Sequence, residues 1–294
     1  MTGASNHHGI VVGVDGSSSS TLAVEWAARE AAMRHLPLTL VHVLMPPVSL
    51  TWPDIPAPVG LQNWQETQGQ VFLDEAVKIA RDATRGTDFQ IRRELVNGGP
   101  MVSLADLSKD AEIVVAGCHG RGRLRQVLGS VSSGLAHHAH CPVAIVHDEN
   151  PLLLDVASAP VVVGIDGSPA SEAATATAFD EASRRGVDLV AVHACSDWRD
   201  ADNPAIDWSA LEERGREVLA ERLAGWQERY PDVTVRRVVV ANQAAQHLVE
   251  ESKHAQLVVV GSHGRGGFAG MLLGSVSSAV VQSARSPVIV ARAS

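Results

Sequence analysis

The chain has 294 residues, 45% of them hydrophobic, and a formal net charge of −9 at pH 7. This length predicts about two globular domains, and the negative charge argues against a nucleic-acid-binding protein, which would present a basic surface. We expect neither a signal peptide nor a membrane span, because the first residues lack a basic segment followed by an apolar stretch and every apolar run is too short. The three cysteines, Cys118, Cys141 and Cys195, are too few for a disulfide framework, so they predict reduced thiols and a cytoplasmic protein.

The first half of the chain alternates predicted strands and helices. GIVVGVD (9–15) is apolar on both faces, which predicts a buried parallel strand, and residues 19–35 follow with apolar side chains at helical spacing. Next come a strand at 38–43, a helix at 74–84, a strand at 91–96, a helix at 101–110, a strand at 112–117, a helix at 130–139 and a strand at 142–147. This alternation indicates a parallel sheet covered by helices, in which a ligand binds beyond the carboxyl ends of the strands.

A proline-rich segment separates the second strand from the second helix. Residues 45–64 hold five prolines and two tryptophans, and the second half has DWRDADNPAIDW (197–208) in the same place. Proline does not continue a helix, so both segments are predicted to be loops. A lid over a ligand, a dimer contact and a loop pinned by its own hydrophobic side chains all fit this composition.

The second half repeats the first. Residues 10–20 recur as 161–171 at an offset of 151, and the second strand recurs at the same offset, so that His42 pairs with His193. A later glycine-rich loop recurs at an offset of 144, and the segments after it recur at 145. A period of this size is a domain length, which predicts two tandem domains, at 1–148 and 158–294, joined by a linker at 149–157.

The glycine-rich loop is the first candidate site. Gly117, Gly120 and Gly129 lie between a strand and a helix, and Ser130 and Ser132 stand at the helix start. Glycine lets the backbone approach a ligand, and N–H groups of the loop and the helix start can face an anion together, which suits phosphate. A tight turn followed by serine caps is the structural alternative. The loop is neither a Walker A motif nor the dinucleotide fingerprint, which belongs after the first strand.

An aspartate ends the first strand of each half. Asp15 and Asp166 stand in matching VDGS and IDGS segments. A carboxylate there suits an adenine amino group or a ribose hydroxyl. An Asx-turn or a helix cap explains the residue equally well.

With these motifs the chain resembles the universal stress proteins in their tandem two-domain form, and the mycobacterial members linked to dormancy and growth control in particular. ATP-binding members of that family carry G-x-x-G, nine residues and then G-[ST], which the second half matches with Gly261, Gly264, Gly274 and Ser275. The resemblance covers nearly the whole chain. It implies two Rossmann-like, flavodoxin-like α/β domains, each with a five-stranded parallel sheet of order 3-2-1-4-5.

The resemblance also implies ATP, with or without Mg²⁺, in each domain. The aspartates would lie by adenine and ribose, the ends of the second strands would meet adenine through their backbone, and the loops would hold ribose and phosphates. In the first half the implied binding residues are Gly13, Asp15, Val43, Gly117, Cys118, His119, Gly120, Arg121, Gly122, Gly129, Ser130 and Val131. In the second half they are Gly164, Asp166, Ala194, Gly261, Ser262, His263, Gly264, Arg265, Gly266, Gly267, Gly274, Ser275, Val276 and Ser277.

The first half departs from the family motif. Only eight residues, RGRLRQVL, separate Gly120 from Gly129. One missing residue shortens the loop by roughly 3.5 Å of extended chain, comparable to the size of a phosphate. We therefore expect the second site to bind ATP more tightly than the first.

Other polar residues are given structural interpretations. HHAH (137–140) has no accompanying cysteine or carboxylate spacing and no counterpart in the second half, so no metal site is predicted. His42 and His193 are predicted to be buried and hydrogen-bonded. Cys118 stands where the second loop has Ser262, which fits either a redox function or an incidental thiol.

The predicted function is that of an ATP-binding regulatory protein. No nucleophile–base pair is repeated, so we expect no enzyme beyond very slow ATP hydrolysis. The alternatives are a slow ATP-hydrolysing or adenylating enzyme and a nucleotide-free dimeric scaffold. A homodimer with an unidentified protein partner is expected, without nucleic acid.

Overall fold

The computed structural model describes residues 8–45, 60–85, 87–120, 128–147, 157–195, 208–265 and 273–292. The chain forms two compact units, Met1–Val146 and His147–Ser294. Of the predicted linker at 149–157, residues 149–156 lie outside the described residues, as do 46–59 and 196–207 of the two proline-containing loops.

Strands and helices alternate in both units. The first unit contains β1 (Gly9–Gly13), α1 (Ser18–Arg34), β2 (Leu38–Leu44), α2 (Leu61–Ala83), β3 (Ile91–Asn97), α3 (Pro100–Leu107) with a 3₁₀ turn (Ser108–Asp110), β4 (Ala111–Gly117), α4 (Ser130–His138) and β5 (Val143–Val146). The second contains β6 (Val161–Gly164), α5 (Pro169–Arg185), β7 (Leu189–Ala194), α6 (Trp208–Arg229), β8 (Val235–Val240), α7 (Ala244–Glu251) with a 3₁₀ turn (Ser252–His254), β9 (Leu257–Gly261), α8 (Ser275–Ser283) and β10 (Val288–Ala291). No described helix is long and apolar enough to cross a membrane.

Within each unit all strand pairs are parallel. β1 pairs with β2 and β4, β2 pairs with β3, and β4 pairs with β5, which gives the order β3-β2-β1-β4-β5. The second unit has the equivalent order β8-β7-β6-β9-β10. The α/β fold predicted from the alternation is confirmed. The strand order reverses between β1 and β4, and a ligand of such a sheet binds outside this point.

The central strands form the core of each unit. Ile10, Val11 and Val12 are consecutive in β1 and all are 0% exposed, so both faces of the sheet are covered. Residues 161–163 of β6 are equally buried. Continuous apolar strands of this kind are typical of parallel sheets between two helical layers.

Helix α2 begins much earlier than the sequence pattern predicted. The predicted start at 74 was wrong, because the helix runs from Leu61 and contains Gly69 in its interior. A Cβ added to Gly69 would stand 2.7 Å from Leu95 Cδ1 and 2.8 Å from His42 Cδ2. This glycine therefore lets α2 lie close to the sheet, although in a sequence it looks like a helix breaker.

Ser17, the first of four consecutive serines, caps the start of α1. The Ser17 side chain accepts a hydrogen bond of 3.1 Å from the Ser20 N–H. Ser168 does the same for Ser171 at 3.2 Å, followed by Pro169 in the first turn of α5. Asp15 and Asp166 thus lie between the end of the first strand and the start of the first helix of their unit, three residues before the helix begins.

Candidate functional site

Each unit has a cavity at the carboxyl ends of its central strands. The first, of ≈ 140 Å³, is lined by Gly13, Val14, Asp15, Ser20, Val41, His42, Val43, Pro100, Leu104, Ala116, Gly117, His119, Gly120, Gly129, Ser130, Val131 and Ser132. The second, of ≈ 330 Å³, is lined by Gly164, Ile165, Asp166, Ser171, Val192, Ala194, Ala244, Leu248, Val260, Gly261, His263, Gly264, Arg265, Gly274, Ser275, Val276 and Ser277. Most of the predicted site residues therefore surround a cavity.

Four predicted site residues fall outside the part of the chain that the structure describes. They are Arg121, Gly122, Gly266 and Gly267, in segments 121–127 and 266–272. The missing residue of the first loop falls in this portion of the chain, so its effect on the ligand stays a prediction.

The neck of each glycine-rich loop is closed by one backbone hydrogen bond. The Gly129 N–H donates to the Cys118 carbonyl at 2.8 Å, and the Gly274 N–H donates to the Ser262 carbonyl at 2.7 Å. The two loops thus have the same geometry at their ends in spite of their different lengths.

A serine hydroxyl ties the start of each following helix to the preceding strand. Ser132 Oγ donates to the Gly117 carbonyl at 2.5 Å, and Ser277 Oγ donates to the Gly261 carbonyl at 2.5 Å. These bonds hold the first turns of α4 and α8 against the ends of β4 and β9. The free N–H groups of those turns and the positive end of the helix dipole make an anion site.

The glycines that end β4 and β9 allow a close approach by the first helix. A Cβ on Gly117 would stand 2.6 Å from the carbonyl carbon of Ser19, and a Cβ on Gly261 would stand 2.7 Å from that of Ala170. These positions lack a side chain because of backbone contacts within the protein. Close approach to a ligand, the predicted reason for these glycines, is therefore not needed to explain them.

The aspartates that end the first strands make local hydrogen bonds. Asp15 Oδ1 accepts from the Ser17 N–H at 2.9 Å, and Asp166 Oδ1 accepts from the Ser168 N–H at 2.9 Å, which are Asx-turns. Asp166 Oδ2 also accepts from the Arg265 N–H at 3.1 Å. Both residues also line their cavities, so the Asx-turn is confirmed and the ligand-facing interpretation stays a prediction.

Two histidines in the second strands hold the strand ends in register. His42 Nδ1 lies 2.7 Å from the Val14 carbonyl, and His193 Nδ1 lies 2.7 Å from the Ile165 carbonyl. A carbonyl only accepts, so Nδ1 carries the proton in both rings. The prediction of hydrogen bonding is confirmed; His193 is buried and His42 is half-buried beside Phe72.

Cys118 and Ser262 were predicted to be binding residues, but they are not among the residues that line the cavities. Their side chains are 2% and 5% exposed and contact the neighbouring ring, with Cys118 Sγ 2.9 Å from His119 Nδ1 and Ser262 Oγ 3.0 Å from His263 Nδ1. Strand alternation points these side chains to the face opposite the preceding glycine, whose own Cβ direction points at the backbone of the first helix. Their backbone carbonyls still close the loop necks.

Sequence reasoning missed the cavity walls contributed by the third helix of each unit. Pro100 and Leu104 line the first cavity, and Ala244 and Leu248 line the second. Pro100 and Ala244 are 144 residues apart, and so are Leu104 and Leu248. This is the offset at which the glycine loop recurs, so the repeat contained the signal. Ser20 and Ser171, which also line the cavities, follow the offset of the first strands.

The charges around the cavities are compatible with a phosphorylated ligand. Arg265 lines the second cavity, and the N-termini of two helices face each cavity through Ser20, Ser130, Ser171 and Ser275. Among the described residues no group of three or more histidine, cysteine or acidic side chains is placed to hold a metal ion. Each arrangement can therefore bind an anion through backbone N–H groups and place a carboxylate nearby.

Comparisons with known proteins agree on one family. The model of the universal stress protein family matches residues 7–147 and 159–292. Universal stress protein Rv2623 of Mycobacterium tuberculosis is 53% identical over 296 residues, and the alignment covers 100% of this chain and 99% of that protein. Universal stress protein Rv2005c of the same species is 54% identical over 297 residues, and the alignment covers 100% of both chains. The crystal structure of a universal stress protein from Archaeoglobus fulgidus shares the fold with a TM-score of 0.72 at 18% identity, covering 98% of this chain and 100% of its own. The chain therefore belongs to the universal stress protein family, with two tandem domains.

Proposed function

We propose that this protein is an ATP-binding regulator of the stress response, with one nucleotide in each domain. The observation that carries the proposal is the pair of matching cavities. In each, a glycine loop closed at its neck places a helix N-terminus opposite a strand-end aspartate. The helix N-terminus suits the phosphates, and the carboxylate suits hydroxyl or amino groups of the nucleoside.

Binding without efficient turnover is the second part of the proposal. The two oxygens of the Asp166 carboxylate each accept a hydrogen bond from a backbone N–H group, of Ser168 and of Arg265, so both are engaged within the protein. General-base catalysis requires a group positioned on the attacking water. The nucleotide then acts by favouring one conformation or one partner complex, in a cytoplasmic homodimer with or without Mg²⁺.

Calorimetry with ATP and Mg²⁺ tests the binding proposal. After removal of any nucleotide that co-purifies, which mass spectrometry identifies, we expect two ATP molecules per chain, with tighter binding in the second domain. A protein that neither carries nor binds nucleotide would be the dimeric scaffold instead.

Phosphate release tests the second part. We expect turnover far below about 1 s⁻¹, a modest rate for an enzyme. A double variant, Gly129→Asp with Gly274→Asp, controls for contaminating ATPases because it places a carboxylate at both anion sites. A fast rate that this double variant abolishes would identify an enzyme.

A further inference from the structure

The two cavities differ at the end away from the glycine loop. Val43, at the end of β2, lines the first cavity, and Ala194, at the end of β7, lines the second. These positions are equivalent, because each directly follows the histidine that binds the carbonyl after the first strand. The wall formed by the third helix differs as well, with Pro100 in the first unit and Ala244 in the second.

Both replacements remove side-chain volume from the second cavity. Valine has two methyl carbons that alanine lacks, and proline has two ring carbons that alanine lacks. The leucine below is unchanged, since a Cβ on Gly13 would stand 2.9 Å from Leu104 Cδ1 and one on Gly164 would stand 3.0 Å from Leu248 Cδ1. The cavity volumes of ≈ 140 and ≈ 330 Å³ agree with this direction.

At the opposite end of the cavity, the loop neck and the helix start have the same geometry in both units. The neck hydrogen bonds measure 2.8 and 2.7 Å, and the serine bonds at the helix starts both measure 2.5 Å. Gly129 and Gly274 also share an extended backbone, with φ of −60° and −68°. Among the described lining residues, the second site has smaller side chains only at Ala194 and Ala244, at the end that would hold the base, whereas its Ile165 and Val260 are larger than Val14 and Ala116 of the first.

We propose that the two sites differ in the size of the purine they accept. The second site binds adenine nucleotides that carry an added substituent on the base edge, and the first site excludes them. Val43 and Pro100 are the residues that restrict the first site, and Ala194 and Ala244 open the second. This inference rests on the proposed function, because it assumes that both cavities hold a nucleotide with its base at this end.

The test uses one functional site at a time. Gly129→Asp leaves the second site and Gly274→Asp leaves the first, and each is titrated with ATP, N6-benzyl-ATP and 2-methylthio-ATP. We expect at least one analogue to bind the second site within tenfold of ATP and the first site more than tenfold more weakly than ATP. One methylene group of misfit in an apolar pocket changes affinity by about 10- to 200-fold.

Reciprocal substitutions assign the effect to the named side chains. In the single-site backgrounds, Ala194→Val should lower the affinity for the discriminated analogue relative to ATP at least fivefold at the second site, and Val43→Ala should raise that ratio at the first. Pro100→Ala should add to the effect of Val43→Ala.

The outcomes separate the two proposals. If ATP binds neither site, the proposed function fails and this inference falls with it. If ATP binds both sites but neither analogue discriminates between them, or the substitutions do not shift the discrimination, the inference is wrong while the proposed function stands.

Discussion

Placing a carboxylate at Gly274 tests whether the start of α8 binds an anion. Gly274 is the N-cap of α8, with φ −68° and ψ 156°, which any residue adopts. A Cβ there would stand 3.4 Å from His263 Cα and 3.5 Å from the Ser262 carbonyl oxygen, which is ordinary contact. Asp and Asn are both favoured N-caps, so Gly274→Asp and Gly274→Asn should change stability by only a few tenths of a kcal/mol.

The effect on binding is much larger for the charged variant. A carboxylate about 5 Å from a phosphate charge, at an effective dielectric constant of about 20, costs about 3 kcal/mol. That penalty corresponds to a loss of roughly 200-fold in ATP affinity at the second site. Gly274→Asn has nearly the same shape without the charge, so its loss should stay within about tenfold, or 1.4 kcal/mol.

Calorimetry measures both quantities, with thermal unfolding to verify the fold. We expect Gly274→Asp to reduce the stoichiometry from two ATP to one, and Gly274→Asn to retain two. Unchanged ATP binding in the aspartate variant would refute an anion site at α8. An equal loss of ATP affinity in both variants would show that the shape of the added side chain, and not its charge, weakens binding.

Three further predictions concern packing and the thiols. Gly261→Ala should destabilise the protein by about 1–3 kcal/mol in denaturant unfolding, because the added Cβ would stand 2.7 Å from the backbone of α5. The control Gly225→Ala, with nothing within 4 Å of the added Cβ, should stabilise the protein by about 0.5–1 kcal/mol. Equal effects of the two substitutions would refute the packing argument. Arg34→Met should lower the free energy of unfolding by about 3 kcal/mol, because it removes an ion-pair partner of Glu30, whose side chain is 1% exposed. Adding Glu30→Gln should recover part of this stability, and no recovery would contradict a charge effect. Burial raises the pKa of Cys195, so less thiolate is present at pH 8 than in a free cysteine. Iodoacetamide should therefore alkylate Cys195 more slowly than a free cysteine, at a rate that still rises above pH 9. A rate that reaches its plateau below pH 8 would contradict a raised pKa.

The repeat made most of each site predictable from the sequence. Matching offsets paired Asp15 with Asp166 and the two glycine loops, and the structure places these residues around equivalent cavities. The walls formed by Leu104 and Leu248 were missed although both recur at the offset of the glycine loop, because a recurring apolar residue in a helix fits a core position as well as a cavity wall.

Other errors came from backbone packing, which composition does not reveal. Gly69 looks like a break in α2, but the glycine is explained by side chains 2.7–2.8 Å from its missing Cβ. Cys118 was assigned to the binding site by its neighbours in the loop, whereas the direction of its side chain depends on where β4 ends.

The bond that closes each loop neck makes the length of the loop nearly neutral for folding. The entropy of closing a loop grows only with the logarithm of its length, so one residue more or less changes the free energy by about 0.1 kcal/mol. The hydrogen bond that joins the two ends of the loop is 2.8 Å long in the first unit and 2.7 Å in the second. Insertions between these ends therefore need not displace the helix start. After duplication, the eight-residue segment at 121–128, with three arginines, and its nine-residue counterpart at 265–273, with one, were therefore free to diverge in length and charge.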